Sequence, residues 1–216
     1  MNRFLILSMF FPLAGLAEAP PASGLLAPNG LPISEPDRTI LEKGELLVEL
    51  TEVTDTGTKK AVAVGLIDAL PEDVFLVLTD YNSFTSFMPY CKTVQVKESE
   101  DQKSSVYFAL DFPWPIGDRH YVLNLTDSSD DVSGTTVYTS SWTYEKESGN
   151  IKDSHGSWEV RAYDGKRSFV RYTVFTDPGG SIPAWANNAA TEIAIPKVFK
   201  GLRAQVQSKG GDEEKK

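Results

Sequence analysis

Arg119 is a charged side chain in a strongly apolar stretch, which makes it the first candidate for contact with a polar group of another molecule. Residues 119–125 (RHYVLNL) alternate in polarity, which predicts a β-strand with Arg119, Tyr121 and Leu123 on one face. If this face is inward, the guanidinium can bind the polar end of a ligand or a buried carboxylate. The alternative is a structural ion pair with one of three acids, Asp118, Asp111 or Glu159.

Catalytic chemistry has little support in the residues. The sequence contains no nucleophile elbow, zinc-protease, phosphate-binding or dinucleotide-binding motif. His120 falls on the strand face opposite Arg119, and His155 lies beside Gly156 in a predicted turn. The chain has one cysteine, Cys91, and two histidines, so it lacks the ligands of a cysteine- or histidine-rich metal site. We therefore expect neither a metal nor a cofactor.

Three other predicted strands carry apolar and aromatic candidates on one face. The strands and these residues are 105–112 with Phe108, 157–163 with Trp158 and Val160, and 167–175 with Val170 and Tyr172. Tyr172 can offer a hydroxyl to a ligand, as can Tyr121. For Trp158, plain core packing explains the position equally well.

The last long segment, residues 181–206, predicts an α-helix with one apolar face. Its apolar side chains recur at steps of three and four, apart from one longer step across Pro196, and they are Ile182, Ala186, Ala189, Ile193, Phe199, Leu202 and Val206. Ser181 is the expected N-cap. Pro196 removes a backbone hydrogen bond and should kink the helix, either as a gate or as a static bend around a sheet.

The order of the predicted elements indicates an α+β fold. A hairpin at residues 45–67 precedes a helix that begins near Leu70, and five or six antiparallel strands lead to the last helix. A sheet and a helix that both present wide apolar faces either close on each other or enclose a cavity. The fold thus has room for an internal binding site.

Size and charge limit the classes of function. The 216 residues, of which 41% are hydrophobic, suffice for one domain with a sizeable core. The net charge of −9 argues against nucleic acid as a partner and against a polybasic membrane patch. We expect a Pro- and Gly-rich lead-in at residues 20–40, the folded domain at 41–208 and a disordered charged tail at 209–216.

Residues 1–19 predict a secretory signal peptide. Arg3 gives a short positive start, and residues 4–17 form an apolar run shorter than the roughly 20 residues of a membrane-spanning helix. Small side chains suit cleavage after Ala17 or Ala19, and an uncleaved anchor is the alternative. Removal of residues 1–19 leaves the net charge at −9, because these residues contain one acid and one base. We expect an exported protein in a bacterial periplasm.

Four stretches resemble the START-type helix-grip (SRPBCC, Bet v 1-like) superfamily, which includes lipid-binding domains, polyketide cyclases and coenzyme Q-binding proteins. They are Asp80-Tyr81 with Phe87-Met88-Pro89, Trp114-Pro115 with Asp118-Arg119-His120-Tyr121-Val122, Gly156-Ser157-Trp158-Glu159-Val160, and Asp177-Pro178-Gly179-Gly180 with Ile182-Pro183. Together they cover about residues 45–206. The second stretch has His120 where the START pattern usually has an aspartate.

The resemblance implies a curved antiparallel β-sheet wrapped around a long C-terminal α-helix, with a short helix pair after the first strands and an elongated apolar tunnel. Combined with the strand and helix faces, it predicts these ligand-binding residues: Phe108, Arg119, Tyr121, Leu123, Trp158, Val160, Val170, Tyr172, Ala189, Ile193 and Phe199. In this prediction the residues of the C-terminal helix close the tunnel.

The expected function is binding and transport of a hydrophobic small molecule or lipid by a monomer that contacts membranes transiently. The alternative is a cyclase- or isomerase-type enzyme that uses Arg119, His120 and Tyr121 in the same pocket. A third possibility is a structural or partner-binding protein whose core is closed and dry.

Overall fold

The protein is built on one eight-stranded antiparallel sheet, and the computed structural model describes residues 25–54, 56–180 and 182–213. The strands are β1 Leu47–Val53, β2 Thr58–Ile67, β3 Cys91–Glu100, β4 Lys103–Leu110, β5 Arg119–Val132, β6 Thr135–Tyr144, β7 Asp153–Ala162 and β8 Ser168–Asp177. Their order across the sheet is β1-β2-β8-β7-β6-β5-β4-β3. The predicted signal peptide and the predicted N-cap Ser181 lie outside the described residues.

Within the described residues, four helices accompany the sheet. They are α1 Glu35–Glu42, α2 Pro71–Thr79, α3 Phe84–Phe87 and α4 Ala184–Glu213, with a 3₁₀ turn at Tyr81–Ser83 before α3. The Ser34 side chain caps α1 in a capping box with Asp37. The long C-terminal helix and the short helices after the first strands are those of the predicted helix-grip fold, which is confirmed.

The two faces of the sheet carry different cores. On one face, α2 and α4 pack over the sheet, so that Leu78 and Phe199 join strand residues such as Val170 in the main cluster. On the other face, Leu25 and Leu41 cover the outward side chains of β2 and β8. The N-terminal segment is also held by Arg171, whose guanidinium donates to the carbonyls of residues 26–28 at 3.0–3.2 Å. The structured part of the chain thus begins before residue 41.

One local prediction about β7 is wrong. His155 lies within β7, not in a turn, because β7 begins at Asp153 and pairs with β8 as far as Asp177. The connection from β7 to β8 is a loop of residues 163–167. The Asp164 carboxylate accepts the backbone N–H groups of Lys166 and Arg167 at 2.9 and 2.8 Å, which satisfies donors that a tighter hairpin would have paired.

The helix α4 continues through Pro196 and beyond the predicted boundary at residue 208. Pro196 is exposed, as is Glu192, whose carbonyl has no intrahelical donor because proline lacks the N–H group. The helix therefore accommodates the proline without ending there. Its last turns include residues 209–213, where Lys209 Nζ lies 2.7 Å from Asp80 Oδ2. None of the described helices combines the length and hydropathy required to cross a membrane.

Candidate ligand cavity

A cavity of about 230 Å³ lies between the inner face of the sheet and the first half of α4. Its walls come from β4, β5, β6, β7, β8 and α4, with contributions from residues 88–91 and from the β4–β5 loop. The lining residues that keep some solvent exposure include Pro89, Phe112, Arg119, Ala190 and Ala194. These residues place the opening where the β4–β5 loop approaches the first half of α4.

The walls are mainly apolar and aromatic. The Trp158 and Tyr172 rings stack with centroids 4.0 Å apart, and Trp142 lies 6.0 Å from Tyr172. On the β4–β5 side, the Phe108 and Tyr121 ring centroids are 6.1 Å apart. Packed aromatic rings offer a large apolar surface in a fixed position, which suits an apolar ligand.

Two tyrosine hydroxyls differ from the other buried polar groups in the lining. Tyr121 is 9% exposed and Tyr172 is half-buried. Among the described residues, neither hydroxyl has a hydrogen-bond partner. Burial is the main cause that raises the pKa of both phenols above the usual value, so both are neutral at physiological pH.

The remaining buried hydroxyls of the lining are paired within the protein. Tyr81 donates to the Asp127 carboxylate at 2.8 Å, and its oxygen lies 3.3 Å from Ser140 Oγ. Trp142 Nε1 donates to Ser154 Oγ at 3.4 Å, and Ser154 Oγ lies 3.0 Å from the Thr176 hydroxyl. Because these hydroxyls are paired within the protein, they can lie beside an apolar cavity without an unsatisfied hydrogen bond.

Arg119 lies at the opening and is fixed by backbone carbonyls. Its Nε donates to the Pro178 carbonyl at 3.0 Å and its Nη1 to the Asp118 carbonyl at 2.9 Å. Within the described chain no carboxylate makes an ion pair with it, and Glu159 pairs with Arg161. The structural ion pair considered for Arg119 is therefore wrong. Burial lowers the pKa of Arg119, which nevertheless remains a cation.

Six of the eleven predicted ligand-binding residues line the cavity. They are Phe108, Arg119, Tyr121, Leu123, Trp158 and Tyr172. All six are on strands, where alternation assigns the face reliably. Val160 and Val170 belong to the same sheet face but are fully buried in the core beside the cavity. Whether the lining residues contact a ligand stays a prediction.

The prediction that Ala189, Ile193 and Phe199 close the tunnel is wrong, because other residues of α4 line the cavity. Ile193 is 54% exposed, Phe199 is fully buried against the sheet, and the cavity does not reach Ala189. The residues of α4 that line the cavity are Ala190, Thr191, Ala194, Ile195 and Val198. The six-residue step from Ile193 to Phe199 separates them by about 120° around a helix, so they never shared a face.

Sequence reasoning missed the polar residues at the inner end of the cavity. Tyr81, Ser140 and Ser154 line it, and no local sequence pattern distinguishes them from other polar residues. Within the described residues there is no cluster of His, Cys, Asp and Glu side chains that could hold a metal ion. His120, one of the residues considered for catalysis, is exposed and outside the lining.

Comparisons with known proteins agree with this architecture. A family model described as polyketide cyclase / dehydrase and lipid transport matches residues 67–203. Phosphatidylcholine transfer protein of Bos taurus is 29% identical over 174 residues, which cover 73% of this chain and 81% of that protein. An uncharacterized protein of Pseudomonas aeruginosa is 28% identical over 151 residues, which cover 68% of this chain and 71% of that protein.

Solved structures show the same fold. A STAR-related lipid transfer protein from Xanthomonas axonopodis superposes with a TM-score of 0.65 at 24% identity, covering 75% of this chain and 93% of that chain. The Zhui aromatase/cyclase from Streptomyces sp. R1128 superposes with a TM-score of 0.53 at 12% identity. The superposition covers 69% of this chain and 92% of that chain. Because the family match spans more than half of the chain, the protein belongs to the polyketide cyclase / dehydrase and lipid transport family, and its fold is the START-type helix grip that the sequence motifs predicted.

Proposed function

We propose that this protein binds a lipid in the cavity between the sheet and α4 and transfers it between membranes. The observation that carries the proposal is the apolar, aromatic-walled cavity of about 230 Å³. Burial of apolar ligand surface there contributes about 25 cal/mol per Å². The similarity to a phosphatidylcholine transfer protein supports a lipid as the ligand.

Cavity size and Arg119 suggest how such a ligand is accommodated. The volume is below the roughly 300–1,000 Å³ of common small-molecule pockets. A larger lipid can therefore enter only if the first half of α4 moves away from the sheet. At the opening, the Nη2 of Arg119 has no hydrogen-bond partner among the described residues. This guanidinium is placed to bind an acidic or phosphate head group.

Binding without catalysis is favoured by the chemistry of the lining. The raised pKa values of Tyr121 and Tyr172 make both phenols poor bases near neutral pH. A cyclase- or isomerase-type enzyme is the alternative. It predicts turnover that disappears in Tyr121→Phe or Arg119→Ala while the fold is retained.

Membrane contact has a candidate residue in the β4–β5 loop. Trp114 is 88% exposed and lies between Phe112 and Ile116, which both line the cavity. An exposed tryptophan beside a cavity opening is suited to the membrane–water interface. We propose that Trp114 contacts the membrane during transfer by the monomeric protein.

Trp114→Ala should weaken binding to phosphatidylcholine vesicles, whereas Trp114→Phe should largely preserve it. Equal vesicle binding by the wild type and Trp114→Ala would remove this residue from the contact.

Export is the remaining part of the proposal. The apolar run at residues 4–17 supports a signal peptide that is cleaved after Ala17 or Ala19. N-terminal sequencing of the protein recovered from the periplasmic fraction tests it directly. Recovery of the intact N-terminus from the cytoplasmic fraction would contradict it.

The function itself is tested by native mass spectrometry of the purified protein, extraction of the bound molecule and a vesicle-to-vesicle lipid transfer assay. Ala194→Trp should fill the cavity and abolish lipid binding and transfer, because Ala194 is in the lining. Ala204→Trp is the matched control, since Ala204 is exposed on the same helix. Circular dichroism verifies that both variants fold. Lipid binding unchanged by Ala194→Trp, or a wild type that binds no lipid, would overturn the proposal.

A further inference from the structure

The Tyr121 and Tyr172 hydroxyls belong to the cavity lining and have no hydrogen-bond partner among the described residues. Three other hydroxyls of the lining, those of Tyr81, Ser140 and Ser154, all have protein partners at 2.8–3.4 Å. When a ligand displaces water from the cavity, a hydroxyl that is left without a partner is destabilising. The two unpartnered hydroxyls are therefore available to bind a polar group of the ligand.

The two phenols are held in place by their neighbours. Tyr172 is stacked on Trp158, and Tyr121 packs beside Phe108. Tyr121 lies on β5 and Tyr172 on β8, on the same inner face of the sheet and close enough to interact electrostatically. Rings that are fixed by packing lose little conformational freedom when their hydroxyls bind a ligand.

A neutral phenol can donate its one proton to a ligand. Burial keeps both groups protonated, as the direction of their pKa shifts indicates. A carbonyl oxygen has two lone pairs and can accept a hydrogen bond from each phenol. A saturated hydrocarbon offers no acceptor and leaves both donors unpaired.

We propose that Tyr121 and Tyr172 select lipids that carry an ester or ketone carbonyl in the part that enters the cavity, and discriminate against lipids without one. The proposal rests on the proposed lipid-binding function and names the chemical class of its ligand. Recognition by the two phenols acts on the part of the lipid inside the cavity, whereas Arg119 acts at the opening.

The test uses a matched pair of probes, a long-chain methyl ketone and the alkane with the same number of carbons. Each competes with the neutral fluorescent probe N-phenyl-1-naphthylamine bound to the full-length mature protein. The wild type should bind the ketone roughly tenfold or more tightly than the alkane, because two hydrogen bonds form only with the ketone. In the double variant Tyr121→Phe/Tyr172→Phe this preference should disappear, while alkane binding is maintained.

The alkane reports on folding and cavity shape in every variant, so a structural defect is separated from lost recognition. Tyr107→Phe is the matched control, because Tyr107 lies on the opposite face of β4 beside His120 and should retain the preference for the ketone. Equal affinity for ketone and alkane in the wild type would overturn the inference and would indicate that solvent satisfies the hydroxyls. A preference that persists in the double variant would overturn it too. Failure of both compounds and the fluorescent probe to bind would instead count against the lipid-binding function itself.

Discussion

The two halves of α4 meet the same sheet in different ways. In the second half, Phe199 and Leu202 are completely buried, and Gly201 lies directly against the backbone carbonyl of Phe87. In the first half, Ala190 and Ala194 face the cavity and leave space between helix and sheet. The difference indicates that one half anchors the helix and the other half makes room for a ligand. Changes in the two halves should therefore affect different properties.

The largest effect is expected at the anchoring half. Phe199→Ala should lower the free energy of unfolding by about 3–5 kcal/mol, because it removes a fully buried ring that packs against Trp158. Urea unfolding followed by circular dichroism measures the change. The neighbouring exposed residue supplies the control, and Lys200→Ala should alter stability by less than about 0.5 kcal/mol. A Phe199→Ala variant as stable as that control would refute the claim that the second half of α4 anchors the helix.

A smaller effect is expected where the helix backbone approaches α3. A Cβ at residue 201 would collide with the Phe87 carbonyl oxygen, so Gly201→Ala should cost about 1–3 kcal/mol of stability even though alanine favours helices. Gly210 is in the same helix with open space around its Cβ position. There the same substitution should increase the free energy of unfolding by up to about 1 kcal/mol, which raises the melting temperature slightly. A stabilising effect of Gly201→Ala would show that helix propensity outweighs packing at residue 201.

The junction between the halves is Pro196. Pro196→Ala restores a backbone N–H toward the Glu192 carbonyl and should raise the free energy of unfolding by about 1–2 kcal/mol. If the first half moves separately during lipid entry, the restored hydrogen bond should also slow the exchange of bound lipid. Stopped-flow release of a fluorescent lipid measures this rate. Increased stability together with unchanged lipid exchange would assign Pro196 a purely static role.

The smallest effect is a pH dependence at the cavity wall. Burial raises the pKa of the Cys91 thiol to about 11, so the folded protein retains a proton that the unfolded chain loses near pH 8.5. Stability should thus fall slightly as the pH rises from about 8.5 to 11. Alkylation of this single cysteine by iodoacetamide should be slow at pH 8 and accelerate about tenfold per pH unit. Fast alkylation at pH 8, unaffected by added lipid, would place the thiol outside the cavity.

Strand faces were predictable from the sequence, whereas the helix face was not. Tyr121 and Leu123 alternate with His120 and Val122, and a period of two leaves no doubt about which pair shares a face. Along α4, apolar residues occur on more than one side of the helix. The apolar stripe drawn through Ile193 and Phe199 therefore joined a solvent-exposed residue to a core residue.

The roles of the buried hydroxyls also required the three-dimensional structure. Tyr81 and Asp127 are far apart in the chain, and only the fold brings them within 2.8 Å. Without that pairing, nothing in the sequence distinguishes Tyr81 from Tyr121 or Tyr172 as a donor with a partner. Long-range contacts of this kind depend on the register of several strands at once, which local patterns do not specify.

The strand order has a consequence for how the chain folds. Ala61 of β2 pairs with Val174 of β8, although β3 to β7 all lie between them in the chain. The first hairpin therefore cannot join the rest of the sheet until almost the whole domain has been synthesised. Folding of topologies rich in such non-local pairings takes milliseconds to seconds. During that interval the apolar side chains of β2 stay uncovered, so this hairpin is the segment most in need of protection from aggregation.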